Sequence, residues 1–403
     1  MVLALCALSV RLARLYGEIR ATPANAFEDF NFYLYAFTTV LHRPGDASLL
    51  YDQPSLLAFL QAIGVTKGGT SIFYTYPPQF ALLFSPFGHL PPLVAKLVWV
   101  SCSVLLFAIG LALLVKVAYR GKDSGVRLLL VAIALATYPL MIDILLGQSN
   151  QLLFFLVVGA LFFLDRGNRY IAGIFLGTAI VLKVTPIVIG GLLLMRREWR
   201  TAVATAATSL VITILTAWKL GFYAIWHYVV ADMPRLAASN LGLDSAPDNN
   251  SLRGAVNALA RMAGKTVSES TLHAIWFVTA VVVCLLAIAL VFRRHTDRRI
   301  DFALAVMTML VASPVLEPVH LVAALIPLTI LLGTAFERPG VRLSMFPPRV
   351  ELVLISLVVL TMFAGPRHIT YVVASLIVYA LCLARYARPV AAWRNDLAPG
   401  RIG

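Results

Sequence analysis

A few polar residues stand out against a chain that is otherwise apolar. Asp29, with Glu28 beside it, opens a polar stretch after the first apolar run. Tyr76-Pro77-Pro78 follows, then Gly147-Gln148-Ser149-Asn150 between two apolar runs. Lys183-Val184-Thr185-Pro186 interrupts a third run, and Asn250-Ser251-Leu252-Arg253-Gly254 and Pro318-Val319-His320 lie further on. One carboxylate among cationic and amide groups suits group transfer from a lipid phosphate. The carboxylate would deprotonate an acceptor hydroxyl. Lys183, Arg253 and His320 would stabilise charge developing on the leaving phosphate, Arg bidentately and Lys as a point charge. Each residue also has a plainer reading. Asp29 could cap the segment 30–41, and Gln148 and Asn150 could cap the helix that begins at Gln151. Lys183 could snorkel to an interface. Arg253 could be solvated, and Tyr76-Pro77-Pro78 could be a rigid turn.

Of the 403 residues, 60% are hydrophobic and 13% charged. A soluble domain carries about 25% charged residues. Apolar runs of about 20 residues recur along the chain, which is the pattern of transmembrane helices. They do not alternate as barrel strands do. The sequence therefore predicts an all-α, polytopic transmembrane helical bundle over 1–403, of about 11–12 membrane segments including short half-spans. A net charge of +14 raises nucleic acid as a partner. The Lys and Arg fall instead in short clusters between apolar runs, so nucleic acid is excluded and the lipid bilayer is the expected partner. Cys6, Cys102, Cys284 and Cys382 have no metal-ligand spacing, and no metal site is expected.

Six basic clusters begin at Arg120, Arg166, Arg196, Arg293, Arg338 and Arg385. Placing all six in the cytoplasm requires an even number of crossings between neighbours. Residues 128–164 then turn near Gly147, 300–336 near Pro314 to His320, and 350–384 at Gly365-Pro366-Arg367-His368. Ile171 to Met195 is tight, and its centre carries Lys183 and a proline that removes a helix hydrogen bond. Two half-spans meeting near Lys183 are expected, as in broken helices that line a cavity. Two long outer loops remain, 18–90 with the candidate base and 220–271, both holding small extracytoplasmic helices. The outer face then gathers Asp29, Tyr76, Gln148, Asn150, Arg253, His320, Arg367 and His368. The first helix, ending near Arg11, looks short, as though the start lay further upstream.

The order of these motifs resembles glycosyltransferase family 87, polyprenol-phosphate-sugar-dependent enzymes of the GT-C superfamily. The resemblance rests on Asp29-Phe30 with Leu50-Tyr51-Asp52, and on Tyr76-Pro77-Pro78 leading to Ser85-Pro86-Phe87. It rests most on Gly147 through Leu153, Ala172-Gly173, Lys183 to Pro186 and Arg196 to Arg200, where order and spacing both match; Asn250 to Gly254 completes it. The resemblance implies that Asp29 is the catalytic base. It also implies a polyprenyl-phosphate-sugar donor, most often mannose, and a glycolipid or polysaccharide acceptor, with no metal and no cofactor. Lys183, Arg253 and His320 would bind the donor phosphate, and Glu28, Tyr76, Gln148, Asn150 and Asn250 the sugar or acceptor. Relatives often carry paired histidines where this chain has His320 alone. With one base and no evident partner carboxylate, inversion by single displacement is expected. The localisation implied is the plasma membrane, multi-pass, with the site on the extracytoplasmic side. A transporter or flippase of a lipid-linked sugar is the alternative, since it shares the bundle and the broken helix.

Overall fold

The computed structural model describes residues 19–66, 74–238, 249–291, 297–337, 343–367 and 369–387, with Ala13, Tyr16 and Gly17 before them. The expected first helix, with Cys6, and the residues Arg293, Arg294, Arg338, Arg342, His368, Arg388 and Arg394 lie outside the described residues. Among the described residues every regular element is helical. The chain is an all-α polytopic membrane protein.

The described part of segment 18–90 holds short helices: α1 (Glu28–His42), α2 (Gln53–Ala62) and α3 (Pro78–Leu83), with 3₁₀ turns at Pro44–Tyr51 and Ser85–His89. Asp52 caps α2, its carboxylate accepting from the Ser55 N–H at 2.9 Å. The chain then enters α4 (Pro92–Ala118), whose 27 residues reach about 40 Å at 1.5 Å per residue. Pro92 suits its first turn, where an N–H would lack a partner in any case. Next come α5 (Ser124–Ala136) and α6 (Tyr138–Leu146), bent by 51° at Thr137, where Pro139 cannot continue the hydrogen-bond ladder. α7 (Asn150–Asp165), α8 (Arg169–Leu182), α9 (Ile187–Met195) and α10 (Trp199–Leu220) follow. After them stand α11 (Phe222–His227), a π-helical turn at Tyr228–Asp232, α12 (Met233–Ala238), α13 (Leu252–Met262) and α14 (Glu269–Val291). The chain closes with α15 (Arg298–Val311), a 3₁₀ turn at Pro318–Val322, α16 (Leu325–Glu337), α17 (Pro348–Ala364) and α18 (Thr370–Ala387).

The turns fall where the basic clusters required them. The break between α8 and α9 falls at Lys183 to Pro186. The expected count of 11–12 segments treated half-spans as crossings. By length and composition only 4 described helices suffice to cross alone, or up to 5 if the bent pair is one span. The difference is one of length. α7 has 16 residues and α8 has 14, about 24 and 21 Å, against a hydrocarbon core of about 30 Å.

Close helix contact sets the frame. α8 lies on α10 through Gly173 and Gly177, where a Cβ would stand 2.4 Å from the Ala204 Cβ and 2.6 Å from the Thr205 carbonyl. Small residues four apart allow this approach in lipid. One end of the bundle is knitted by ion pairs. Arg120 meets Asp165, Arg169 and Arg298 share Glu198, and Arg196 meets Asp301. Arg299 joins Asp297 and Glu337, and the buried Arg385 pairs with the buried Glu351. The described basic clusters therefore gather at one end, and the polar motifs of the next section lie at the other.

Candidate active site

The start of α1 is held in place by α4. The buried Lys96 ammonium donates to the carbonyls of Pro23 (3.1 Å) and Ala24 (2.7 Å). Trp99 Nε1 donates to the Gly147 carbonyl at 3.0 Å, tying the turn between α6 and α7 to the same helix. Gly147 has φ of 69°, and a Cβ there would meet the Cβ atoms of Phe27 and Phe30 at 3.0 Å. Only glycine meets both demands at low cost. The result is that Gln148 abuts Asp29, 119 positions earlier in the chain.

Gln148 Nε2 donates to Asp29 Oδ2 at 2.5 Å. Its Oε1 accepts from the hydroxyls of Tyr33 (2.6 Å) and Tyr76 (3.1 Å). An amide flanked by phenolic donors on its oxygen has one orientation that satisfies every partner, with its NH₂ toward the carboxylate. Ser149 donates to the Tyr76 hydroxyl at 2.8 Å. The capping readings therefore fail. The residues flanking α1 and α7 on their N-terminal sides, Phe27 and Ser149, make no side-chain cap; Gln148 bonds Asp29, and Asn150 bonds Asp143 and Lys183. Asp29 stands outside the membrane-crossing helices and is half-buried. Burial, and then the charges of Glu317, Glu28 and Asp143, push its carboxyl up to about 7, against the Gln148 hydrogen bond, which lowers it.

Beyond Gln148 opens a cavity of about 560 Å³. Its polar end carries Tyr76, Gln148, Lys183, Glu317 and His320. Its remaining wall is mostly apolar, from Val184, Ile187 and Val188 of the helix break to Met233, Leu236, Trp276 and Met309. Lys183 is extended at φ −150°, as a position shortly before Thr185-Pro186 allows. Its Nζ donates to Asn150 Oδ1 at 2.9 Å and lies 5.5 Å from the Tyr76 ring centre. It reaches inward to a side chain rather than outward to an interface. The Glu317 N–H donates to His320 Nδ1 at 3.2 Å, which fixes the ring at the cavity edge.

Asn250 and Arg253 do not line this cavity. The Asn250 N–H donates to the Leu316 carbonyl at 2.6 Å, and Asn249 Oδ1 accepts from the Leu316 N–H at 3.1 Å. Ser251 Oγ donates to the Pro314 carbonyl at 2.9 Å and caps α13 at the Gly254 N–H. This motif thus clamps the loop that carries Glu317. Arg253 is buried, with its guanidinium 3.8 Å from Glu269. Arg367 is exposed, its N–H bonded by Thr370. Glu28 flanks Asp29 without lining the cavity.

Two carboxylates escaped the reading of the sequence. Glu317 sits on the cavity wall, so the premise of a lone carboxylate, from which inversion was expected, does not hold. Asp143 is fully buried in α6 and accepts from Asn150 Nδ2 at 2.7 Å. A charge inside an apolar run was the available signal for Asp143. Glu317 had none, because an acid before proline is ordinary turn chemistry.

The family model described as glycosyltransferase family 87 matches residues 74–314. The chain is 29% identical over 300 residues to the polyprenol-phosphate-mannose-dependent alpha-(1-2)-phosphatidylinositol mannoside mannosyltransferase of Mycobacterium tuberculosis, covering 70% of this chain and 66% of that one. It is 27% identical over 272 residues to the protein of the same description in Mycolicibacterium smegmatis, covering 64% and 57%. The chain thus spans less than two thirds of the length of these relatives. No solved structure matches.

Proposed function

Because this chain belongs to glycosyltransferase family 87, we propose that it transfers mannose from a polyprenyl-phosphate donor to a glycolipid acceptor at its cavity. The observation that carries this reading is the Gly147–Asn150 turn. It binds a carboxylate through Gln148 and an ammonium through Asn150, at the polar end of a cavity whose other walls are mostly apolar. That arrangement suits a ligand with an anionic head and a hydrocarbon tail. Asp29 takes the proton of the acceptor hydroxyl, the hydroxyl oxygen bonds to the sugar's anomeric carbon, and the bond from that carbon to the phosphate oxygen breaks. Lys183 and His320 receive the charge on the departing polyprenyl phosphate. A base that titrates near 7 is matched to this task, because it is partly ionised yet still basic. Asn250 serves the site by fixing the 314–317 loop.

The basic end faces the cytoplasm by the positive-inside bias, and the cavity opens on the outer side of the plasma membrane. Inversion follows if Asp29 acts as base, since the acceptor oxygen then displaces the phosphate in a single step. Retention would move Glu317 into the role of nucleophile. The test is incubation of the purified protein with polyprenyl-phosphate-mannose and phosphatidylinositol mannosides. The expected product is an added mannose whose anomeric configuration is opposite to that in the donor. Donor flipping in liposomes without transfer would replace this reading with the transporter.

A further inference from the structure

Asp143 touches nothing in the cavity, yet it is fully buried in an apolar helix. An isolated carboxylate there is costly unless something repays it. Gln151 lies within hydrogen-bond reach of it, and Asn150 Nδ2 donates to Asp143 Oδ1 at 2.7 Å. The other end of the same amide accepts from Lys183 Nζ at 2.9 Å. An ionised carboxylate only accepts, and an ammonium only donates. The amide between them therefore has one allowed orientation, with NH₂ toward Asp143 and oxygen toward Lys183. Gln148, two residues away, is oriented by the same logic between two phenols and Asp29.

We propose that Asp143 is a positioning residue for the donor-phosphate site: it polarises the Asn150 amide so that its oxygen anchors the Lys183 ammonium at the cavity's polar end. This inference rests on the proposed function, in which Lys183 meets the donor phosphate. Asp143 also adds, beside Glu317, to the negative charge that faces the Lys183 ammonium. Without it the Asn150 amide can turn over, presenting a donor to an ammonium that needs an acceptor.

Four variants test this in detergent-purified full-length protein, with polyprenyl monophosphate as the probe. Lys183→Ala checks the underlying reading. If it binds the probe as wild type does, Lys183 is not at the phosphate site, and the proposed function fails at that point. If Lys183→Ala binds more weakly, Asp143 is on trial by itself. Asp143→Asn, nearly isosteric, should weaken probe binding about tenfold, the scale of a hydrogen bond to a charged group. It should also raise the donor KM and leave the acceptor KM unmoved. The exchange Asp143→Asn with Asn150→Asp keeps both bonds and returns the negative charge that Asp143→Asn removes. The amide, now at position 143, would donate to the carboxylate at position 150, and that carboxylate would accept from Lys183. The exchanged protein should bind within about twofold of wild type. A purely structural Asp143 predicts that the exchange is no better than the single change. Unaltered binding by Asp143→Asn, or an exchanged protein that folds and still binds weakly, overturns the inference. Asn150→Ala guards against poor folding of the charged variants, since it removes bulk and adds none. It should lose as much binding as Asp143→Asn, and equal binding to wild type would also overturn the proposal.

Discussion

Replacing Asp29 by Asn should remove activity and make the protein more stable, and the size of the gain is set by the site. In the fold the carboxyl is pushed from 3.8 to about 7. A raised pKa means that folding opposes ionisation. Stability linked to Asp29 is fully present below about pH 3.8 and is lost as pH climbs towards 7. At about 1.4 kcal/mol per pH unit, a rise of about 3 units sets an upper limit of about 4 kcal/mol. Asp29 keeps a partial opening to solvent, which reduces the effect to about 1–3 kcal/mol. Asn avoids this penalty, and its carbonyl oxygen still accepts from Gln148. The assay is thermal unfolding of both proteins in one detergent from pH 4 to pH 9. The melting curves should coincide near pH 4, separate as pH rises, and differ by a few degrees above pH 7, with Asp29→Asn the higher. A variant that melts at or below the wild type at pH 8 would refute the reasoning. It would mean that the carboxylate is stabilised, not strained, by its surroundings.

Other consequences follow from the same geometry. Mannose transfer should fall on the acid side with an apparent pKa near 7. Glu317→Gln removes a like charge, so the acid limb should move to lower pH by on the order of one unit, and a pH profile of kcat/KM showing an upward move would contradict the placement of Glu317. Gly147→Ala must adopt a left-handed backbone, costing about 1–2 kcal/mol, and must displace Phe27 and Phe30 as well. Its Tm should drop by several degrees, and its transfer should weaken because Gln148 loses its register with Asp29. Ser251→Ala loses the α13 cap and the bond to the Pro314 carbonyl, and should cost about 1–2 kcal/mol, read as a lower Tm.

Much of the frame was legible because a membrane allows few solutions. Evenness of crossings between basic clusters located the turns at Gly147, Pro314 and Gly365, and the crowding between Arg169 and Arg196 located the break at Lys183. Span number was less legible, because apolarity does not say whether a 14-residue run crosses or stops part-way. The basic clusters were read only as a sign of sidedness. The structure shows the guanidinium groups of Arg120, Arg196 and Arg299 bonded to acids far along the chain, such as Arg196 to Asp301, 105 positions apart. Such pairings have no local pattern. The site divided in the same way. Gln148, Asn150 and Lys183 stood in recognisable interruptions of apolar runs. The motif at Asn250 and Arg253 suggests ligand contacts; in the fold Asn250 bonds Leu316 and Arg253 lies against Glu269. Asp143 was hidden because its purpose lies in Asn150, seven positions on and one helix turn-around away.

The central claim is that Asp29 is the base at a site that binds the donor without it. The direct measurement is mannose transfer by purified wild-type and Asp29→Asn proteins, beside binding of polyprenyl monophosphate to each. The account predicts that Asp29→Asn loses transfer by several orders of magnitude, on the scale of about 10²–10⁴ for a general base, while its binding stays within about threefold of wild type. Equal transfer by both proteins would contradict it.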